Sequence, residues 1–137
     1  GLIVNLDQHT VTADGERVTA RCTVGEQCRL FQLPDGRYGT WMLIELMAQT
    51  VGIYAGLKNR ASGSAPRIGF LLGTRKFNVH TQYLVEGDVI DLSAECIFYA
   101  DSGLPSQFDC RAYIAGHEIA SANLTVYQPE STDAWKT

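Results

Sequence analysis

The chain has 137 residues, of which 45% are hydrophobic and 19% are charged, and its formal net charge at pH 7 is −4. This length is typical of a single domain, and this composition allows the chain to bury a hydrophobic core. The acidic balance disfavours a nucleic-acid-binding protein, because such proteins usually present a basic face. We therefore expect one globular domain over residues 1–128, followed by a polar C-terminal tail over residues 129–137.

The four cysteines are widely spaced and form no CxxC pair. This spacing disfavours a zinc site, and three of the four stand at apolar positions of alternating segments, where a free thiol behaves as a small hydrophobe. We expect reduced thiols in a cytoplasmic protein that uses no metal and no other cofactor. The longest apolar segment carries Glu45 and Gln49, so no membrane span is expected.

Two alternating segments, residues 2–12 and 17–24, open the chain and are joined around Asp14-Gly15. An Asp-Gly sequence between such segments predicts a β-hairpin. Residues 25–40 include a Pro-Asp-Gly sequence, which predicts loop and turn.

A single helix is predicted over residues 41–57, where the only polar residues are Glu45, Gln49 and Thr50. A helix that is apolar on nearly all sides is buried on most of them. Glu45 lies one turn after Trp41 and one turn before Gln49, so these three side chains share a face. A carboxyl group at such a position indicates a pocket. The alternative is a glutamate with a purely structural role, which accepts hydrogen bonds from Gln49 or from backbone donors of a neighbouring subunit.

The rest of the chain reads as strands after a loop over residues 59–66. A long run broken by Gly69 and Gly73 predicts a strand over residues 68–79, and alternation predicts strands over residues 88–98, 108–114 and 120–126. The last three, with a turn at Gly116-His117, form an antiparallel meander. One helix packed on one antiparallel sheet belongs to the α+β class.

Three short segments carry a resemblance to the β-hydroxyacyl-ACP dehydratases. Ile-Glu-Leu-Met-Ala-Gln at residues 44–49 resembles the start of their helix, and Val-Glu-Gly-Asp at residues 85–88 resembles their Val-Pro-Gly-Asp turn. Ile-Ala-Gly-His-Glu-Ile-Ala at residues 114–120 resembles their Val-Asp-Gly-Lys hairpin. The resemblance covers residues 17–126.

A closer similarity rests on two segments taken together: Met-Ala-Gln-Thr-Val at residues 47–51 and Gly-Phe-Leu-Leu-Gly-Thr-Arg at residues 69–75. This pair is similar to the dehydratase-like subunit of aryl-polyene biosynthesis. The resemblance implies the hot-dog fold, in which one long buried central helix is wrapped by a curved antiparallel sheet. It implies an acyl thioester carried by acyl carrier protein or coenzyme A, in fatty-acid-type biosynthesis. It also implies a homodimer, or a heterodimer with another hot-dog subunit, whose two sheets join along residues 69–79.

In those dehydratases a His takes the C2 proton of a 3-hydroxyacyl thioester, and a carboxylic acid on the helix protonates the departing hydroxyl. A backbone N–H at the helix start steadies the thioester carbonyl. The resemblance implies that Glu45 is the acid, that Gln49 is the helix glutamine and that Thr40 supplies the N–H. The family's His falls at Phe31, so the base does not carry over. Removing a general base typically costs about 10²–10⁴ in rate.

Relatives of the aryl-polyene type also lack a His at this position and tend to carry one near the N-terminus. This chain begins at Gly1, and we expect that such an upstream His was either lost or never present. Three functions stay open: a dehydratase with Glu45 as general acid, a non-catalytic hot-dog partner that supports an active subunit, and a hot-dog thioesterase. Within the chain, His80 is the weak candidate for the missing base.

The resemblance also implies a substrate tunnel. Its expected lining consists of Thr40, Trp41, Phe31, Phe70, Leu72 and Gly73. Apolar residues at such positions are more often plain core. Three cations lie around the 59–66 loop and the predicted 68–79 strand: Arg67, Arg75 and Lys76. A cationic rim would attract the phosphate of a phosphopantetheine arm or an acidic carrier protein. The alternative is a solvated charged face.

Overall fold

The computed structural model describes residues 8–11, 16–61, 70–98 and 105–127. In these ranges the chain forms β1 (Gln8–Val11), β2 (Arg17–Thr23), a 3₁₀ helix (Glu26–Phe31), α1 (Met42–Ala61), β3 (Phe70–Val79), β4 (Val89–Phe98), β5 (Pro105–Ile114) and β6 (His117–Tyr127). The strands form one antiparallel sheet in the order β1-β2-β4-β5-β6-β3. One helix on one antiparallel sheet confirms the predicted class.

The first two strands form the predicted hairpin. Gln8 pairs with Arg21 and Val11 pairs with Val18, so β1 runs antiparallel to β2. The Asp-Gly segment between them and residues 1–7 lie outside the described residues, as does the predicted tail.

The segment predicted as loop and turn begins with the 3₁₀ helix. Such helices are short and only weakly encoded in sequence, so the prediction missed it. A turn follows, in which the Leu33 N–H donates to the Arg37 carbonyl oxygen at 2.6 Å and the Gly36 N–H donates to the Leu33 carbonyl oxygen at 3.0 Å.

Helix α1 begins one residue later than predicted and runs on through Ala61. Residues 59–61, expected in a loop, are therefore helical. At the other end, the N–H groups of residues 42–44 donate to carbonyl oxygens three residues earlier, at 2.9–3.2 Å, which tightens the first turn.

One side of α1 lies on the sheet, where it packs against β2, β4 and β5. The buried residues on this side are Met42, Leu43, Leu46, Met47, Thr50, Val51 and Tyr54. The opposite side is more open: Trp41, just before the helix, is 53% exposed, Gly52 is exposed, and Glu45 and Gln49 are half-buried. Since one sheet covers only one side of a helix, an open face remains on this chain.

The predicted meander is confirmed, with β4 paired to β5 and β5 paired to β6. The turn between β5 and β6 centres on Ala115 and Gly116, whose φ angles are +51° and +82°, and not on Gly116 and His117. Positive φ at both central residues is the geometry of a type I′ turn, which matches the twist of the two strands.

Strand β3 forms one edge of the sheet and pairs with β6. Its register shifts between Arg75 and Asn78, and Lys76 has φ +54°, which marks a β-bulge at this point of the strand. No helix within the described ranges is long and apolar enough to cross a membrane.

Candidate functional site

The candidate site lies where the 3₁₀ helix and the first turn of α1 meet. The Gly39 N–H donates to the Phe31 carbonyl oxygen at 2.9 Å, and the Thr40 carbonyl oxygen accepts from the Leu43 N–H at 2.9 Å. In the described part of the chain no acceptor pairs with the N–H groups of Thr40 and Trp41. These two donors stand at the positive end of the α1 dipole, where an oxygen carrying negative charge binds favourably.

Trp41 and Phe31 form an apolar pair beside these donors. Their ring centroids are 6.4 Å apart and the ring planes are tilted by 57°. The indole also lies against Gly39, so that a Cβ at residue 39 would overlap the ring. Phe31 is buried, whereas Trp41 is half-exposed. Phe31, at which the sequence resemblance places the dehydratase His, is thus a buried ring that lies beside Trp41.

Glu45 and Gln49 follow on the same side of α1 as Trp41. Glu45 stands in the first helical turn and Gln49 one turn later, and both are half-buried. An i, i+4 spacing brings their Cβ atoms to about 6 Å. The shared face expected from the sequence is thus formed, and it belongs to the side of the helix that the sheet leaves open.

The predicted residues of β3 lie in another part of the sheet. Gly73 is half-buried and Lys76 is exposed, on a strand separated from β2 by β6, β5 and β4. The side chains of three predicted residues, Phe70, Leu72 and Arg75, and the whole of Arg67 lie outside the described structure. Within one chain, the residues described fall into a group at the start of α1 and a group on the edge strand.

Two histidine side chains are described, and both are exposed. His80 follows β3, where its N–H donates to the Ile119 carbonyl oxygen at 2.8 Å, and His117 begins β6 at the hairpin. No group of three or more His, Cys, Asp or Glu side chains that could hold a metal ion occurs in the described ranges.

Sequence reasoning missed a polar contact beside the site. The hydroxyl of the fully buried Tyr38 donates to Glu86 Oε1 at 3.2 Å, and Arg29 Nη2 lies 3.2 Å from the same oxygen. Burial raises the pKa of the Tyr38 phenol, and the neighbouring Glu86 adds to this. The Val-Glu-Gly-Asp segment was visible in the sequence, but nothing there joined its glutamate to a tyrosine in an irregular stretch.

A second polar feature lies on the outer face of the sheet, away from α1. A depression of about 320 Å³ is lined by Arg17, Ser93, Glu95, Asp109, Arg111 and Tyr113. Its charges pair with one another: Arg17 lies 3.4 Å from Glu95, and Arg111 lies 3.1 Å from Asp109. A half-exposed face of mutually paired charges is an ordinary solvated surface.

One antiparallel sheet packed on one long helix, with an acid and an amide on the open face of that helix, is the hot-dog architecture that the sequence resemblance implies for a dehydratase-like protein. Residues 4–137 match the ApeP-like family, described as ApeP dehydratase. The chain belongs to this family. The match confirms the resemblance seen in the sequence, and no curated protein matches the chain.

Solved structures share the fold of this chain. The dehydratase heterocomplex ApeI:P from Xenorhabdus doucetiae is similar at 25% identity and a TM-score of 0.85, over 98% of this chain and 88% of that one. A hypothetical thioesterase with coenzyme A from Streptococcus pneumoniae TIGR4 matches at 15% identity and a TM-score of 0.65, over 93% and 94%. The smu.793 protein of Streptococcus mutans, bound to acetyl-CoA, matches at 15% and 0.67, over 93% and 91%. The last two share the fold alone.

Proposed function

We propose that this protein is a cytoplasmic dehydratase-like subunit that binds a 3-hydroxyacyl thioester, carried by acyl carrier protein or coenzyme A, at the start of α1. In this proposal Glu45 is the general acid. The observation that carries it is the pair of N–H groups on Thr40 and Trp41, which have no acceptor in the described residues and stand one turn from a half-buried carboxyl group.

The chemistry follows from these positions. The thioester carbonyl oxygen accepts from the Thr40 N–H, and the resulting polarisation acidifies C2. A base takes the C2 proton, the C2–C3 double bond forms, and the C3 hydroxyl leaves as water with the proton from Glu45. Gln49 hydrogen-bonds the acid or the thioester. Losing one such N–H donor typically costs about 10²–10³ in kcat.

The base comes from a second hot-dog subunit in this proposal, because Phe31 occupies the family's His position and is packed against Trp41. Two features support pairing: the open face of α1 and the edge strand β3, along which the two sheets would join. The similar Xenorhabdus protein is part of a heterocomplex. The tunnel would then combine the residues at the helix start with Gly73 and its neighbours on a β3 strand, and Lys76 with Arg75 and Arg67 would form a cationic rim for the carrier.

A second candidate is a supporting subunit without chemistry of its own. Phe31 favours it, since a subunit that does not take the C2 proton needs no base there. In this role the chain would shape the tunnel for an active partner, in fatty-acid-type synthesis of the aryl-polyene kind.

The two functions are separated by incubating 3-hydroxyacyl carrier protein with the full chain, alone and with a second hot-dog dehydratase subunit from the same organism. Enoyl product that disappears in Glu45→Gln supports the proposal. The matched control is Glu26→Gln, which neutralises an exposed carboxyl group on the 3₁₀ helix and should leave product formation unchanged. Product that needs the partner and survives Glu45→Gln supports the supporting role. Free thiol in place of enoyl product indicates a thioesterase and contradicts both.

A further inference from the structure

Tyr38 lies in the segment between the 3₁₀ helix and α1. Its backbone forms antiparallel β-bridges to two other parts of the chain. It bridges Gln32 on one side and Leu84 on the other. Its N–H donates to the Leu84 carbonyl oxygen at 2.7 Å, and the Leu84 N–H donates back at 3.0 Å. The backbone two residues before Thr40 is therefore fixed to the connection between β3 and β4.

The side chain of Tyr38 makes a second connection to the same place. Glu86 Oε1 accepts from the Tyr38 hydroxyl and also pairs with Arg29 Nη2, each at 3.2 Å. One carboxylate oxygen thus joins the β3–β4 connection to the 3₁₀ helix and to the segment before α1. We call Arg29, Tyr38 and Glu86 the Tyr38 clamp.

Glu86 is itself held by a well-defined turn. The Val85 N–H donates to Asp88 Oδ2 at 2.9 Å, and the Gly87 N–H donates to the Val24 carbonyl oxygen at 2.9 Å. Gly87 has φ +94°, which only glycine adopts readily. Because this turn is anchored to the end of β2, Glu86 is a fixed point for the hydroxyl of Tyr38.

The placement of the residues at the start of α1 depends on where Tyr38 lies. Gly39 follows it and is confined by the Phe31 carbonyl oxygen and by the indole of Trp41, with no room for a side chain. Thr40 and Trp41 come next, with the N–H groups that have no acceptor in the described part of the chain. Because only Gly39 separates Tyr38 from Thr40, a shift of Tyr38 would displace these donors.

We propose that Glu86 and Tyr38 are positioning residues, which hold the N–H donors of Thr40 and Trp41, and the indole of Trp41, in place at the start of α1. The role in catalysis rests on the proposed function, in which these donors bind the thioester oxygen. The structural role, which is to hold the start of α1 in place, does not depend on the proposed function. A buried hydroxyl that loses its acceptor must move or find another, so we expect the segment that carries Tyr38 to shift even though its backbone stays paired with Leu84.

The test begins with fluorescence, which needs no activity. The sequence has two tryptophans, so a Trp135→Phe background leaves Trp41 as the only reporter. In Glu86→Ala and in Tyr38→Phe the indole should leave its place against Gly39, giving red-shifted emission and a larger acrylamide quenching constant. Glu86→Gln keeps an oxygen for the Tyr38 hydroxyl and should restore the parent values. Asp91→Asn, which breaks the ion pair with Arg21 on the outer face, should change neither.

The second measurement is kcat and KM of the complex with a second hot-dog subunit. Glu86→Ala should lower kcat roughly tenfold or more with little change in KM, because small misplacements of a site cost up to about 10². Glu86→Gln should recover most of kcat. Since the Glu86 side chain is 59% exposed, Glu86→Ala should fold even if Tyr38→Phe does not.

Unchanged emission and quenching in folded Glu86→Ala overturns the clamp. If Glu86→Ala changes the fluorescence but the parent complex makes no enoyl product, the clamp stands and the proposed function alone is overturned. A fluorescence change with unaltered kcat overturns the positioning role in catalysis.

Discussion

The indole of Trp41 lies where the Cβ of any residue other than glycine at position 39 would stand. Gly39 and Trp41 are thus a packed pair, and their contact sets how the chain enters α1. The ring rests on backbone on one side and on Phe31 on the other, and the remaining surface is open.

Gly39→Ala should therefore destabilise the protein. The new methyl group overlaps the indole, so the half-exposed ring must turn away and lose its contact with Phe31, at a cost of about 1 kcal/mol, the low end for overpacking. Urea unfolding measures the change. The matched control is Gly52→Ala, where an added Cβ meets nothing within 4 Å. Alanine is favoured over glycine inside a helix by roughly 0.5–1 kcal/mol, so this variant should gain stability. If the two variants change stability in the same direction, the contact between Gly39 and the Trp41 indole does not restrict the residue at position 39.

Thr40→Pro should abolish most activity in the complex with a second hot-dog subunit. Proline has no N–H but is tolerated at a helix start, so the variant removes the proposed donor with little damage to the fold. We expect kcat to fall by about 10²–10³, while Thr40→Ala, which keeps the N–H, stays near the parent. Circular dichroism checks folding. Equal kcat for the two variants would exclude this N–H from the reaction.

Ala115→Asn should stabilise the β5–β6 hairpin. Ala115 has φ +51°, a left-handed conformation that costs an ordinary L residue roughly 1–2 kcal/mol and that Asn adopts more easily. Asn-Gly is also the preferred sequence of a type I′ turn. Urea unfolding should show a gain of roughly 1 kcal/mol. Gly116→Ala, at φ +82°, should lose stability, and a gain there would contradict the turn geometry.

Cys110 should make stability depend on pH in alkaline solution. Burial raises the pKa of its thiol from an ordinary value of 9.0 to about 12, with Asp109 adding to the effect. Below pH 9 both folded and unfolded chains hold the proton, so this stabilising effect is fully present. Between pH 9 and about 12 the unfolded chain loses the proton first, and the free energy of unfolding falls.

The size of that fall is about 4 kcal/mol, because each pH unit between the two pKa values contributes about 1.4 kcal/mol. Urea unfolding from pH 8 upward, up to the alkaline limit of reversible folding, measures the slope. Cys110→Ala should be less stable at pH 8 but show a shallower slope above pH 9. Equal slopes for the two proteins would show that the Cys110 thiol does not titrate in the unfolding reaction.

Alternation and helical periodicity predicted most of the fold. The β4, β5 and β6 strands and the common face of Trp41, Glu45 and Gln49 followed from spacing, because side-chain direction in a strand or helix depends on local geometry. The helix ends and the hairpin turn were misplaced by a few residues, since terminal turns depend on contacts with the rest of the molecule.

The Tyr38 clamp could not be predicted in this way. Tyr38 lies in an irregular segment, and the two residues that bind its backbone and its hydroxyl, Leu84 and Glu86, are distant in the sequence, with nothing periodic to relate them to it. The placement of Gly73 and Lys76 on an edge strand, apart from the start of α1, likewise depends on strand order and not on any local pattern.

The sequence by itself determined that one long apolar helix packs on an antiparallel sheet, and that an acid and an amide share a face of that helix. It did so because the spacing of apolar side chains along a helix or strand depends only on local backbone geometry. Only the tertiary structure decided that the sheet covers one side of α1, that Trp41 rests on Gly39, and that two N–H groups at the helix start have no acceptor in the described chain. These features arise where separate segments meet, and they depend on long-range packing and hydrogen bonds that no single stretch of residues encodes.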